Sequence, residues 1–132
     1  MIVAVDSSAL IAVFRNEKGG AEWLDFLLAL RAENRLVACD VVWAELAPLF
    51  PSSAALIESM SRIGVVFSPL DETVAFAAGQ LFAKYRKRGG PRSRMISDFM
   101  IAAHALQCAR GLATADEDFM SAHFPRLKIL KP

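Results

Sequence analysis

The sequence predicts an α/β fold in which a mostly parallel, five-stranded sheet is covered by helices on both faces. Three observations predict it. Five short apolar runs, most of them rich in β-branched residues, recur along the 132 residues. Segments with helical period lie between them, and that alternation implies a parallel sheet. A hydrophobic content of 55% is ample for the core such layers need.

"MIVAV" (1–5) is continuously apolar, the pattern of a strand buried on both faces. Helical residues follow, and in "GGAEWLDFLLALRAENR" Trp23, Phe26, Leu27 and Leu30 recur at spacings of three and four, so they share one face. "RLVAC" (35–39) reads as the second strand, and "VVWAELAPLF" as a short helix that Pro48 bends or ends. "SAALIESMSRI" is the next helix and "IGVVF" (63–67) the third strand. A long helix, "DETVAFAAGQLFAKYRKR", begins acidic and ends basic, which suits its dipole. "SDFMIAAHALQCAR" follows, with Gly111 at its closing position. "GLATA" (111–115) and "LKIL" (127–130) complete the strands, the last as an edge candidate.

The length fits one domain, 1–132, with no room for a second. No apolar run approaches the roughly 20 residues of a membrane span, and Asp6 interrupts the first apolar segment, which excludes a signal peptide. Cys39 and Cys108 stand alone, without metal or redox spacing, and read as small hydrophobes of a reducing cytoplasm. Fifteen Lys and Arg against fourteen Asp and Glu leave the chain balanced, so the distribution of charge says more than its sum.

That distribution is uneven. "LATADEDF" crowds Asp116, Glu117 and Asp118 into one loop. Ligands of parallel sheets bind outside the carboxyl ends of the strands. Asp6 directly follows the first strand, and Asp116 directly follows "GLATA". Asp98 falls in the first turn of the helix leading to "GLATA", and Glu45 about one turn into the helix after the second strand. Each acid alone has a plain reading, as an N-cap, a first-turn acid or a solvated helix residue. Four at one edge do not. Glu45 also lies among Val42, Trp43, Leu46 and Leu49, a costly setting for a lone charge. A hard divalent cation such as Mg²⁺ or Mn²⁺ would relieve the repulsion.

"AVDSSALIAVF", "VVWAEL" and "SDFMIAAHALQCARGLATADEDF" closely resemble the PIN-domain ribonucleases, especially the VapC-type toxins of bacterial toxin–antitoxin pairs. The resemblance spans essentially the whole chain. It implies a three-layer α/β/α sandwich with a central parallel sheet, and an endoribonuclease acting in the cytoplasm as the toxin of a type II pair. Asp6, Glu45, Asp98 and Asp116 match that family's metal-binding acids, and Asp118 a further, less uniformly assigned one. Ser7 and Thr114 match hydroxyls that brace the acids. Asp40 departs from the pattern, which has Ser, Thr or Pro there; an Asp caps a helix equally well. A homodimer and a cognate antitoxin whose tail covers the acid pocket are further implications.

Cleaving a phosphodiester needs an activated water and a stabilised leaving oxygen. One Mg²⁺ can lower the pKa of bound water, or two about 3.5–4 Å apart can clamp both oxygens. Asp6, Asp98 and Asp116 are then ligands, direct or through water, with Glu45 a ligand or the orienter of the attacking water. His104, nearly two turns beyond Asp98, reads as structural, and His123 lies in a polar tail. The acids alone would repel RNA, but "KYRKRGGPRSR" (84–94) offers a basic rim, with Arg86, Arg88, Arg92 and Arg94 as phosphate contacts. Tyr85 could stack a base there, but a lone aromatic in a helix is more often a packing residue. Three other function classes compete with this reading. A phospho-acceptor signalling domain wants an acidic pair after the first strand, where serines stand. A PIN-like module that binds RNA or protein without cutting would be favoured by missing acids, and none is missing. A structure-specific DNA nuclease would share the metal chemistry.

Overall fold

Every strand pairing in the sheet is parallel. The computed structural model describes residues 1–91 and 94–132. Strands β1 (Ile2–Val5), β2 (Arg35–Ala38), β3 (Val65–Phe67), β4 (Leu112–Ala113) and β5 (Ile129–Leu130) lie in the order β3-β2-β1-β4-β5. Val3 is in register with Leu36, Leu36 with Val65, Ala4 with Leu112, and Leu112 with Ile129. β1 is central, and its Val3, Ala4 and Val5 are buried, as a continuous apolar run requires.

Helices α1 (Ser7–Phe14), α2 (Gly20–Leu30), α3 (Asp40–Leu46) and α4 (Ser53–Ile63) carry the chain from β1 outward to β3. Helices α5 (Glu72–Lys87), α6 (Ile96–Cys108) and α7 (Glu117–His123) carry it back across to β4 and β5. Right-handed crossovers running in opposite directions put the two sets on opposite faces, which makes the three layers. The order of connections reverses between β1 and β4. A crevice opens there, at the carboxyl ends of the two strands.

Several expectations change in detail. β4 is shorter than "GLATA", because the Thr114 hydroxyl takes the Asp116 N–H at 3.0 Å and turns the chain out of the ladder. β3 is an edge strand as well as β5, with Val66 and Phe67 exposed, so "IGVVF" is not buried on both faces. Helix α6 ends at Ala109 in extended backbone, not at Gly111. Gly111 serves a close approach instead, since a Cβ there would lie 3.0 Å from the Lys128 carbonyl oxygen. Pro48 falls in a 3-10 turn (Ala47–Leu49) that ends α3. Asp40 is not the cap of α3, a place taken by Cys39; its carboxylate accepts the Leu70 N–H at 3.3 Å and pins the loop after β3.

Trp23 and Leu27 are buried and Phe26 and Leu30 pack against the core, as their shared face predicts. α5 is capped by the Asp71 carboxylate on the Val74 N–H at 2.8 Å and ends in Lys84, Arg86 and Lys87. Among the described residues no single helix is long and apolar enough to cross a membrane. Leu112 is fully buried between β1 and β5, directly behind the crevice. Leu112→Ala should therefore cost about 2–5 kcal/mol of stability, read as a lower midpoint in urea unfolding.

Candidate active site

The centre of the crevice is the carboxylate of Asp6, only 4% exposed. Asp6 leaves β1 at the N-cap position of α1, yet its side chain makes no capping bond. It accepts instead from the hydroxyls of Thr114 at 2.7 Å, Ser8 at 2.9 Å and Ser7 at 3.4 Å. Ser7 also donates to Glu45 at 2.9 Å. A hydroxyl has one proton, so Ser7 gives it to the nearer Glu45, and Thr114 and Ser8 carry Asp6. The Ser8 oxygen in turn accepts the Ala115 N–H at 3.0 Å, and the Thr114 oxygen the Asp116 N–H. Two hydroxyls thus lock the end of β1 to the end of β4. Ser8 was not singled out from sequence, although it is the second serine of the "DSS" run after β1.

Asp98 sits in the first turn of α6, where its Oδ2 accepts the Met95 N–H at 3.3 Å. Glu45 projects from α3 on the side away from buried Val42 and Leu46, with its outer face exposed. Its apolar sequence neighbours therefore do not enclose it, contrary to expectation. Asp116 stands at the N-cap position of α7 without a capping bond; its two oxygens face Arg94.

The acids act on one another. Burial pushes the Asp6 carboxyl up against the pull of its hydroxyl donors, and the charge of Asp116 adds to the rise. Asp98 is raised by desolvation, which outweighs the Met95 N–H and Arg94, with Asp6 and Asp116 contributing. Glu45 is raised by desolvation first, then by Asp6 and Asp98, against the Ser7 hydrogen bond. Carboxylates held above their ordinary range by burial, and further by one another's charge, at an open edge are a donor set that suits a hard divalent cation. Among the described residues no three such groups are gathered closely enough to hold an ion as they stand. Asp116 is engaged elsewhere. Arg94 donates to its Oδ2 at 2.6 Å and its Oδ1 at 3.3 Å, with the guanidinium 4.0 Å above the Phe119 ring.

The other predicted positions lie apart from this group. Asp118 is exposed and joins none of these hydrogen bonds among the described residues, while Glu117 pairs with Lys131. The most exposed acid of "DED" is thus Asp118. Arg86 and Arg88 are exposed at the end of α5, and Arg92 lies outside the described residues. Tyr85 is buried among Phe82, Phe99 and Phe119, where no base can stack on it. His104 is buried on Ser68 at 2.9 Å, far in bonding terms from the acids, and His123 packs edge-on against Tyr85 instead of trailing in solvent. A cleft of about 330 Å³ lined by Glu22, Trp23, Ala115 and Lys131 reaches the site through Thr114.

Residues 3–125 match the PIN domain. The chain belongs to the PIN-domain family. No curated protein sequence matches it. Among solved structures this PIN-domain chain is similar to VapBC2 from Rickettsia felis bound to a DNA fragment from its promoter, with a TM-score of 0.76 and 20% identity over 100% of this chain and 99% of that one. It is similar to VapBC-1 from nontypeable Haemophilus influenzae, with a TM-score of 0.72 and 22% identity over 99% and 98%. A third likeness is to Mycobacterium tuberculosis VapC20, a sarcin–ricin loop cleaving toxin, with a TM-score of 0.64 and 16% identity over 96% and 98%. At such identities the likeness shows a shared fold.

The raised carboxyls have a consequence for stability. Each binds its proton more readily folded than unfolded, so each costs stability above its raised value and ceases to as pH falls towards about 4. Burial lowers His104, which works in the opposite direction as pH falls through about 6.5. Comparing Asp98→Asn with wild type cancels the histidine. Without metal, the variant should melt about 1–3 °C higher at neutral pH, and the gap should close on acidification. A variant that melts lower at neutral pH would contradict the repulsion.

Proposed function

We propose that this PIN-domain chain is a divalent-metal-dependent endoribonuclease, the toxin of a type II toxin–antitoxin pair of the VapC kind. One observation carries the reading: Asp6, Glu45, Asp98 and Asp116, from four separate elements, lie near enough at the switch point of the sheet for their charges to act on one another, and burial with those charges holds three of them above the ordinary carboxylate range. Family membership supports nuclease chemistry. Neighbours solved as VapBC complexes support an antitoxin partner, and a neighbour that cleaves the sarcin–ricin loop supports RNA as substrate.

In this reading residues 1–132 are one nuclease unit acting in the cytoplasm as a homodimer. Asp6, Asp98 and Asp116 would hold Mg²⁺ or Mn²⁺, directly or through water, and Asp118 would lie outside that set. The ion would supply Lewis acidity towards the scissile phosphate. The chain's own residues do the rest. Thr114 and Ser8 fix Asp6 in one orientation, and Ser7 fixes Glu45. Glu45, anchored by one oxygen and open on its outer face, would orient the attacking water. Arg86 and Arg88 would meet the RNA backbone, a contact that salt weakens.

The test is cleavage of total cellular RNA by antitoxin-free protein with Mg²⁺ or Mn²⁺, with and without chelator. Metal-dependent cleavage is expected, and Asp98→Asn should lower it by about 100-fold or more. Folded wild-type protein that leaves RNA intact, or Asp98→Asn that cuts at the wild-type rate, would overturn the assignment. Cleavage of DNA in preference to RNA would reassign the substrate.

A further inference from the structure

Arg94, which belongs to no strand, reaches Asp116 from the turn before α6. Both oxygens of Asp116 are taken by the guanidinium, a bidentate geometry that also suits a phosphate. The guanidinium lies on the face of Phe119, whose ring is buried against Phe99 and Tyr85. The chain is tethered at Gly90 and Pro91: the Tyr85 hydroxyl donates to the Pro91 carbonyl at 3.0 Å, and the Gly90 N–H to the Tyr85 carbonyl at 3.0 Å. A Cβ at Gly90 would lie 2.5 Å from the Tyr85 ring, so the glycine lets the chain pass flat against it. Among the described residues no other Lys or Arg forms an ion pair with Asp6, Glu45, Asp98 or Asp116.

We propose that Arg94 is the built-in counter-ion of the acid site, occupying Asp116 in the metal-free protein and released by a divalent cation to grip the phosphodiester. The inference rests on the metal-dependent reading above and adds a competition to it. Oxygens that accept two guanidinium N–H groups cannot also give their lone pairs fully to an ion. Arg94 and the cation therefore weaken one another at Asp116, and the effect is reciprocal. The side chains of the pair are 31% and 29% exposed, so a solvated ion can reach it and the pair is of moderate strength. Once released, the same planar fork offers two parallel N–H donors to a phosphate beside the ion. Metal occupancy and grip on the substrate are then coupled through one side chain.

The experiment is calorimetric titration of Mn²⁺ into wild type, Arg94→Met and Asp98→Asn, followed by RNA cleavage at saturating Mn²⁺. Methionine keeps an apolar contact with Phe119 while removing the charge. Arg94→Met should bind Mn²⁺ about fivefold tighter or more, as loss of a partly exposed competing ion pair allows. Its KM for RNA should rise about tenfold, the loss of one charge-assisted contact. An unchanged or weaker Mn²⁺ affinity, or an unchanged KM, in folded Arg94→Met overturns the proposal. If methionine prevents folding, Arg94→Lys serves, with a smaller gain in affinity expected and no gain overturning. Wild type that binds Mn²⁺ through Asp98 while Arg94→Met matches it would sink this proposal and leave the nuclease reading standing. Wild type and variants that all fail to take Mn²⁺ while folded would remove the metal site, and this inference with it.

Discussion

A carboxylate buried at the end of the central strand is the constraint on which the rest of the crevice depends. Asp6 has little access to water, and a charge taken out of water must be paired or hydrogen-bonded. The chain meets that demand with hydroxyls and not with a cation. Thr114 and Ser8 each give their one proton to Asp6. Their oxygens then remain free to accept, and they accept the N–H groups of Asp116 and Ala115. The bonds that solvate Asp6 are therefore also the bonds that end β4 and turn the chain into α7. Support for the charge and the geometry of the sheet edge are one network. Among the described residues no buried side-chain nitrogen or oxygen is left without a partner.

The arrangement remains electrostatically unfinished, and the unfinished part is where chemistry belongs. Hydroxyls orient Asp6 and Glu45 without cancelling their charge, and burial holds Asp6, Glu45 and Asp98 all upward, each partly with the help of its neighbours' charges. Structural acids at helix starts would face backbone N–H groups, as Asp71 does on Val74. Asp6 and Asp116 occupy cap positions and point elsewhere. That contrast within one chain separates acids that serve the fold from acids that strain it. Strain of this kind persists when the surrounding packing outweighs it, and it is found at sites that act on a ligand.

The sheet order and the placing of four acids at one edge were legible in the sequence because both follow from topology. Continuous apolar runs specify parallel strands, and a residue directly after such a strand must lie at its carboxyl end. What was not legible depends on where side chains turn. Asp40 looks like a cap and instead holds a loop 30 residues away. Glu45 looks enclosed by its apolar neighbours, but on a helix those neighbours face the core while it faces out. His123 looks solvated in its polar tail, yet it is drawn with Tyr85 into an aromatic cluster assembled from three helices. The partner of Asp116 was hidden for the same reason. Arg94 reads as one of a run of basic residues, and nothing in that run distinguishes it from Arg86 or Arg88, which stay exposed.

The cluster explains why this one arginine behaves differently. Tyr85, Phe99 and Phe119 come from α5, α6 and α7, and Gly90, just after α5, lies flat against the Tyr85 ring. Pro91 is tied to the Tyr85 hydroxyl, and α6 restarts at Ile96, so Arg94 has few positions open to it. The face of Phe119 that Arg94 covers and the oxygens of Asp116 lie side by side, because they are three residues apart around the first turn of α7. A guanidinium that covers the ring is brought against the carboxylate by the same placement. Aromatic packing beside Arg94 thus converts one member of a basic run into a partner of the acid site, while Arg86 and Arg88 stay exposed.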